Sequence, residues 1–233
     1  MFGRTVRTSD PEHDQERVDM TSLGTANFPA IPDSQIARDA TDLIRSVESD
    51  LLYHHSLRVY SWGAMRGALR GLRYDPELLY VGAMFHDIGL VDGHRSEHDR
   101  FEVDSANAAR EFLRAHGVSS DALRIVWDAI ALHTTPGIPE HKEPEVALVT
   151  AGVEYDVLGF GFDEIAPEDR DAVLAAYPRI DFKESIIRAF ADGFADKPDT
   201  TFGTVNADVL TDKLPGYVRP NFCALIRGSR HST

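Results

Sequence analysis

The chain has 233 residues, 42% hydrophobic and 27% charged, which is enough material for one sizeable core. Its net charge of -14 repels polyanions, so nucleic acid and an anionic membrane are excluded as expected main partners. The single cysteine, Cys223, rules out an intrachain disulfide and a multi-cysteine metal site, and it suits a reducing, cytoplasmic setting.

The N-terminus is polar and no apolar run approaches about 18 residues, so neither a leader nor a membrane span is expected. Residues 1–30 lack periodicity and read as a mobile arm. Asp33 or Ser34 then caps a first helix to about Val47, with Ile36, Ala40, Leu43, Ile44 and Val47 on one stripe. Ser49 or Asp50 caps a second helix to about Leu69. In it Leu51, His55, Val59 and Trp62 recur at helical spacing, turning His55 inward as either a core residue or a ligand. His54 is rotated about 100° away from that stripe.

Asp75-Pro76-Glu77 opens a strongly apolar helix, Leu78 to Phe85, that runs into His86 and Asp87, with Gly89 expected as its left-handed stop. A buried carboxylate beside an imidazole needs a partner, either a metal ion or a structural His–Asp hydrogen bond. Leu90 to Arg100 is polar and predicts a surface loop over whatever His86 and Asp87 face, with His94 and His98 solvated. A helix from Phe101 to a stop at Gly117 carries Glu102 and Asp104 in its first turn, where acids suit the macrodipole. The next helix starts at Ser119-Ser120-Asp121, and Ile125, Ala129 and His133 form an inward row. Pro144-Glu145 opens another, whose stripe of Val146, Val149 and Val153 continues into Asp156 as a ligand, a buried cap or a salt bridge. Helical patterns follow around Val173 to Tyr177 and Ile186 to Phe194, then from Val205 to Leu214, before a basic tail. No repeat, alternating strand, Gly-rich phosphate loop or nucleophile motif is evident. The expected fold is all-α, one helical domain over residues 31–215 with a C-terminal tail over 216–233.

His55, His86, Asp87 and Asp156 come from three helices and together suit a divalent zinc, iron, manganese or cobalt ion with positions left for water. The order H…HD…D on helices resembles the HD-domain superfamily of metal-dependent hydrolases. His55-Ser56-Leu57-Arg58-Val59, Phe85-His86-Asp87-Ile88, Phe101-Glu102, Ala129-Ile130 with His133, and Tyr177-Pro178-Arg179 are similar to its cyanamide hydratase branch, over about residues 34–200. The resemblance implies an HD-type helical bundle in which His55, His86, Asp87 and Asp156 hold a metal, with zinc the ion expected. It also implies Glu102 and His133 as the residues that handle protons or touch substrate. The branch has Asn before the first metal-binding histidine; here that place is His54, which becomes a candidate substrate contact. No lysine follows the His86-Asp87 pair as it does in signalling phosphohydrolases.

The expected activity is hydration of a small nitrile-like molecule such as cyanamide. The alternatives are a phosphohydrolase acting on a nucleotide or other phosphomonoester, and a metal-stabilised binding module without turnover. The expected partner is a small-molecule substrate, and a second copy of the chain is the one macromolecular partner left open.

Overall fold

A computed structural model of the chain describes residues 28–230, which form ten α-helices and no strand. The expected all-α fold is the observed one. In chain order the helices are α1 (Gln35–Val47), α2 (Asp50–Leu69), α3 (Pro76–Phe85), α4 (Phe101–Ala115), α5 (Ser120–Ala131), α6 (Pro144–Leu158), α7 (Pro167–Ala176), α8 (Phe182–Phe194), α9 (Asn206–Lys213) and α10 (Phe222–Arg227). None among the described residues is long and apolar enough to cross a membrane. The arm expected over residues 1–30 falls almost wholly outside the described residues.

Local chemistry sets most of the boundaries. The side chains of Ser34, Ser49, Asp75 and Ser119 each accept a backbone N–H from the first turn of the helix that follows. Pro76 and Pro144 open α3 and α6, where a missing N–H costs nothing. Gly117, at φ 70°, closes α4.

Gly89 departs from its expected role. α3 already ends at Phe85, and Gly89 sits in a 3₁₀ turn, Ile88–Leu90, without positive φ. Its need is spatial: a Cβ there would stand 2.2 Å from the Phe101 carbonyl oxygen, so only glycine lets this turn pack against the start of α4.

α3 is the central helix, with every residue from Leu78 to Leu90 buried, and α1, α2, α4, α5 and α6 surround it. The closest approach is between α2 and α6, which run antiparallel. A Cβ on Gly63 would lie 2.7 Å from the Leu148 carbonyl oxygen, and one on Gly152 would lie 2.2 Å from that of Val59. Two glycines thus let the backbones touch, and the next pair along the seam is His55 with Asp156.

A second apolar cluster, Leu52, Leu90, Phe101, Phe182, Ile186, Phe194 and Leu210, joins α8 and α9 to this bundle. The loop from 91 to 100 does not cover His86 and Asp87 as expected. Arg95 donates to the Asp192 carbonyl at 2.8 Å and Lys197 to the Ser96 carbonyl at 3.0 Å, which ties the loop to the end of α8. The site is covered instead by α8 and α9.

Candidate metal centre

The packing of α2 and α3 brings three predicted residues together. One ligand atom each from His55, His86 and Asp87 lies within 4.8 Å of the others. His86 Nε2 is 3.3 Å from Asp87 Oδ2, and His55 Nε2 is 3.7 Å from the same oxygen. All three side chains are fully buried. Each imidazole is oriented from behind: His86 Nδ1 donates to the Ala83 carbonyl at 2.7 Å, and His55 Nδ1 donates to Asp156 Oδ2 at 2.7 Å. This leaves both Nε2 lone pairs facing the cluster.

Those two nitrogens and both oxygens of Asp87 have no hydrogen-bond partner. Four orphaned acceptors in a buried site would carry a large desolvation cost without a cation. Burial would raise the Asp87 pKa, but the surrounding His86, His55 and His133 imidazoles overcome it and hold the carboxylate ionised. Burial likewise keeps His55 below the usual histidine value. Burial opposes protonation of His86, but the charge of Asp87 outweighs it and raises the His86 pKa; once that proton is released, imidazole nitrogen and carboxylate oxygen are the donor set of a divalent transition metal. The residues present fit such an ion.

The model of the HD domain matches residues 52–194, a span that contains this cluster. The chain belongs to the HD-domain family. No curated protein matches it in sequence. HD domains are generally metal-dependent hydrolases, and the orphaned cluster is a group in this chain that could hold such a metal.

Within the HD domain, Asp156, expected as a fourth ligand, stands outside the cluster of His55, His86 and Asp87. Its Oδ1 accepts from Arg58 Nε and Trp62 Nε1, both at 2.9 Å, while Oδ2 accepts from His55 Nδ1 and from the Arg58 guanidinium at 2.9 Å. Both oxygens are therefore engaged behind His55 rather than on the ligand side. Asp156 orients His55 and sets its tautomer, a supporting role of the kind metal-ligating histidines require. The buried salt bridge that the sequence left open for Asp156 is the one observed. Arg58 is fully buried one turn after His55, and an arginine on an apolar stripe is the sequence signal for a buried acidic partner.

His133 lies two residues beyond the end of α5, yet it is brought in as expected. Its Nδ1 donates to the Ile130 carbonyl at 2.6 Å, and its Nε2 sits 3.7 Å from Asp87 Oδ1, the carboxylate oxygen not shared by His55 and His86. Burial and the neighbouring His86 lower its pKa to about 4, so it is a neutral imidazole with an open Nε2.

Glu102 is fully buried but is not placed as a proton donor. It receives Arg100 at 2.8 Å and 3.2 Å, Asn206 Nδ2 at 3.0 Å and the Thr134 hydroxyl. Burial would raise its pKa; the Arg100 hydrogen bonds and charge outweigh this and keep it ionised. Its role is to fix Thr134 and Asn206, two residues the sequence did not single out. His54 also departs from expectation: its ring packs near Tyr53 and Tyr177, at 5.9 Å and 6.5 Å between centroids, and it does not line the cavity at the metal centre. The 100° step from His55 turns it to another face of α2.

That cavity holds about 380 Å³ and reaches His55, His86, Asp87 and His133. Its walls are aliphatic and aromatic, supplied chiefly by Val153 and Val157 of α6, Ile186 and Phe190 of α8, and Val209 of α9. Thr134, Asn206, Glu154 and Asp208 add polar groups, and among the described residues no lysine or arginine lines it.

Proposed function

We propose that this HD domain activates water for addition to an uncharged organic substrate, with hydration of a nitrile group to an amide as the favoured reaction. The observation that carries this reading is the wall of the cavity, which is largely apolar and, among the described residues, has no lysine or arginine to meet a phosphate. A phosphomonoester carries close to two negative charges, and an enzyme for it normally surrounds those oxygens with Arg, Lys or metal contacts. Cyanamide is the smallest member of the proposed class. A cavity of about 380 Å³ leaves room for an apolar substituent beyond the nitrile.

His55, His86 and Asp87 would hold the ion, which supplies Lewis-acid activation of water or of the nitrile when bound. Hydration adds water across the C≡N bond, so oxygen bonds to carbon and the protons of water end on nitrogen. His133 Nε2, neutral and without a hydrogen-bond partner among the described residues, would take a proton from the attacking water and return it to nitrogen. Asn206 spends its N–H on Glu102, leaving its carbonyl oxygen as an acceptor for an N–H of the substrate or product amide. Thr134, whose hydroxyl proton also goes to Glu102, offers a second acceptor on the same wall.

The test is a turnover screen on metal-loaded protein with cyanamide, short alkyl nitriles, aryl nitriles, nucleotides and a generic phosphate ester. Amide or urea formation that follows metal content is the expected result. Turnover of the phosphate esters with none of the nitriles would overturn the proposal.

A further inference from the structure

On the far side of α6 from the metal cavity is a second hollow of about 320 Å³, reached by Trp62, Tyr155, Asp156, Arg170, Arg179 and Lys183. Its charge runs against that of the whole chain, which is -14. Among the described residues Asp156 is the one acid that lines it, and both oxygens of that carboxylate are already taken by Arg58, His55 and Trp62. Three cations remain in excess.

The carboxylate that Arg179 meets, Asp156 at 3.5 Å, is already shared with Arg58. Arg170 donates to the carbonyls of Phe162 and Ile165 at 3.1 Å and 2.5 Å and lies over the Phe162 ring. Arg179 donates one guanidinium N–H to the Asp156 carbonyl at 2.5 Å, while its buried Nε has no hydrogen-bond partner and stays 3.5 Å from Asp156 Oδ1. Lys183 is exposed in the first turn of α8 and pairs with no acid among the described residues. The neighbouring Glu184 is committed to Lys213 at 3.0 Å. Convergent guanidinium and ammonium donors with a buried unsatisfied N–H are the features that recognise an oxyanion.

We propose that this hollow binds a small oxyanion of phosphate or sulfate geometry, and that its occupancy acts on the metal centre through Asp156. The route is short. Arg179 holds the Asp156 backbone carbonyl, and the Asp156 side chain holds His55 Nδ1. An anion that draws Arg179 towards itself shifts the residue that orients a ligand of the ion. Val157 and Leu158 line both cavities, so the two sites also share a wall.

Sulfate titrated into metal-loaded full-length protein at fixed ionic strength tests this, read by calorimetry and by the fluorescence of Trp62, with inorganic phosphate as a second probe. One saturable site is expected. Lys183→Glu, an exposed change, should weaken it about tenfold or more without moving the melting temperature. Arg179→Gln should weaken it too, and His86→Ala should leave it intact. In competition with a chelating dye, sulfate at the wild-type dissociation constant should change the metal Kd of the wild type and change that of Lys183→Glu far less. No saturable binding would overturn the site. So would binding that survives Lys183→Glu and is lost with His86→Ala, since the anion would then sit on the metal. A wild-type metal Kd that sulfate does not move would overturn the coupling.

Discussion

Gly152 rests against the backbone of Val59 so closely that a Cβ would stand 2.2 Å from the Val59 carbonyl oxygen, and one turn further along the same seam His55 and Asp156 meet at 2.7 Å. The glycine contact and the histidine–aspartate bond are two consequences of one helix approach. The metal centre therefore depends on a residue with no chemistry of its own.

Gly152→Ala should force α2 and α6 apart. Overpacking of this kind costs about 1–3 kcal/mol, and in a domain of this size each kcal/mol lowers Tm by roughly 2–4 °C. Because the displaced backbone carries Asp156, metal affinity should fall together with Tm. Thermal melting and metal analysis on the same preparation check both effects, and an unchanged Tm would remove the seam from the account.

Ligand and supporting residue should separate in metal content. His86→Ala deletes a donor whose Nε2 faces the cluster and should empty the site. Asp156→Asn keeps the shape and an acceptor towards His55, so it should weaken metal binding by roughly 10–100-fold without abolishing it. Asp156→Ala should cost more stability, because it strands the buried Arg58, a loss of about 3–5 kcal/mol for a broken buried pair. Complete metal loss in Asp156→Asn, matching His86→Ala, would make Asp156 a direct ligand after all.

His133→Ala should retain the metal and lose turnover, by roughly 10²–10⁴-fold if Nε2 carries the proton. Its neutral state, with the pKa lowered to about 4, means that the rate should show no protonation of this group between pH 6 and 8. A rate per folded molecule equal to wild type would end its catalytic role.

Glu48 tests the burial around the site by pH. Both of its oxygens are buried without hydrogen bonds, and desolvation together with the nearby Asp87 charge pushes its pKa well above the ordinary carboxyl value. Above about pH 4.5 the unfolded chain releases this proton while the folded chain keeps it. The folded state then binds more protons, so stability falls as pH rises towards the folded-state pKa. Glu48→Gln has no proton to lose. Its melting temperature should gain on wild type as pH goes from 5 to 8, whereas a constant gap across that range would show that Glu48 is ionised in the fold.

Helix starts were legible in the sequence because their causes are local. Ser34, Ser49, Asp75-Pro76 and Ser119 act on backbone groups within a few residues, and the apolar stripes report burial at a fixed angular step. The same step turned His55 inward, and the apolar run of α3 carries His86 and Asp87 into the core just past its end, so the sequence by itself determined an all-α protein with a buried histidine–aspartate cluster. It could not decide which side of an inward residue faces which neighbour. Asp156 stands outside the cluster and His54 outside the cavity for that reason, since a side chain's partners are set by helix separation and crossing, and these arise from contacts some 90 residues apart, such as Gly152 on Val59. The apolar walls from α8 and α9 and the commitment of Glu102 to Arg100, Thr134 and Asn206 have the same origin. Only the tertiary structure chose them, because a cavity has no periodicity along the chain and belongs to the spaces that packed helices leave between them.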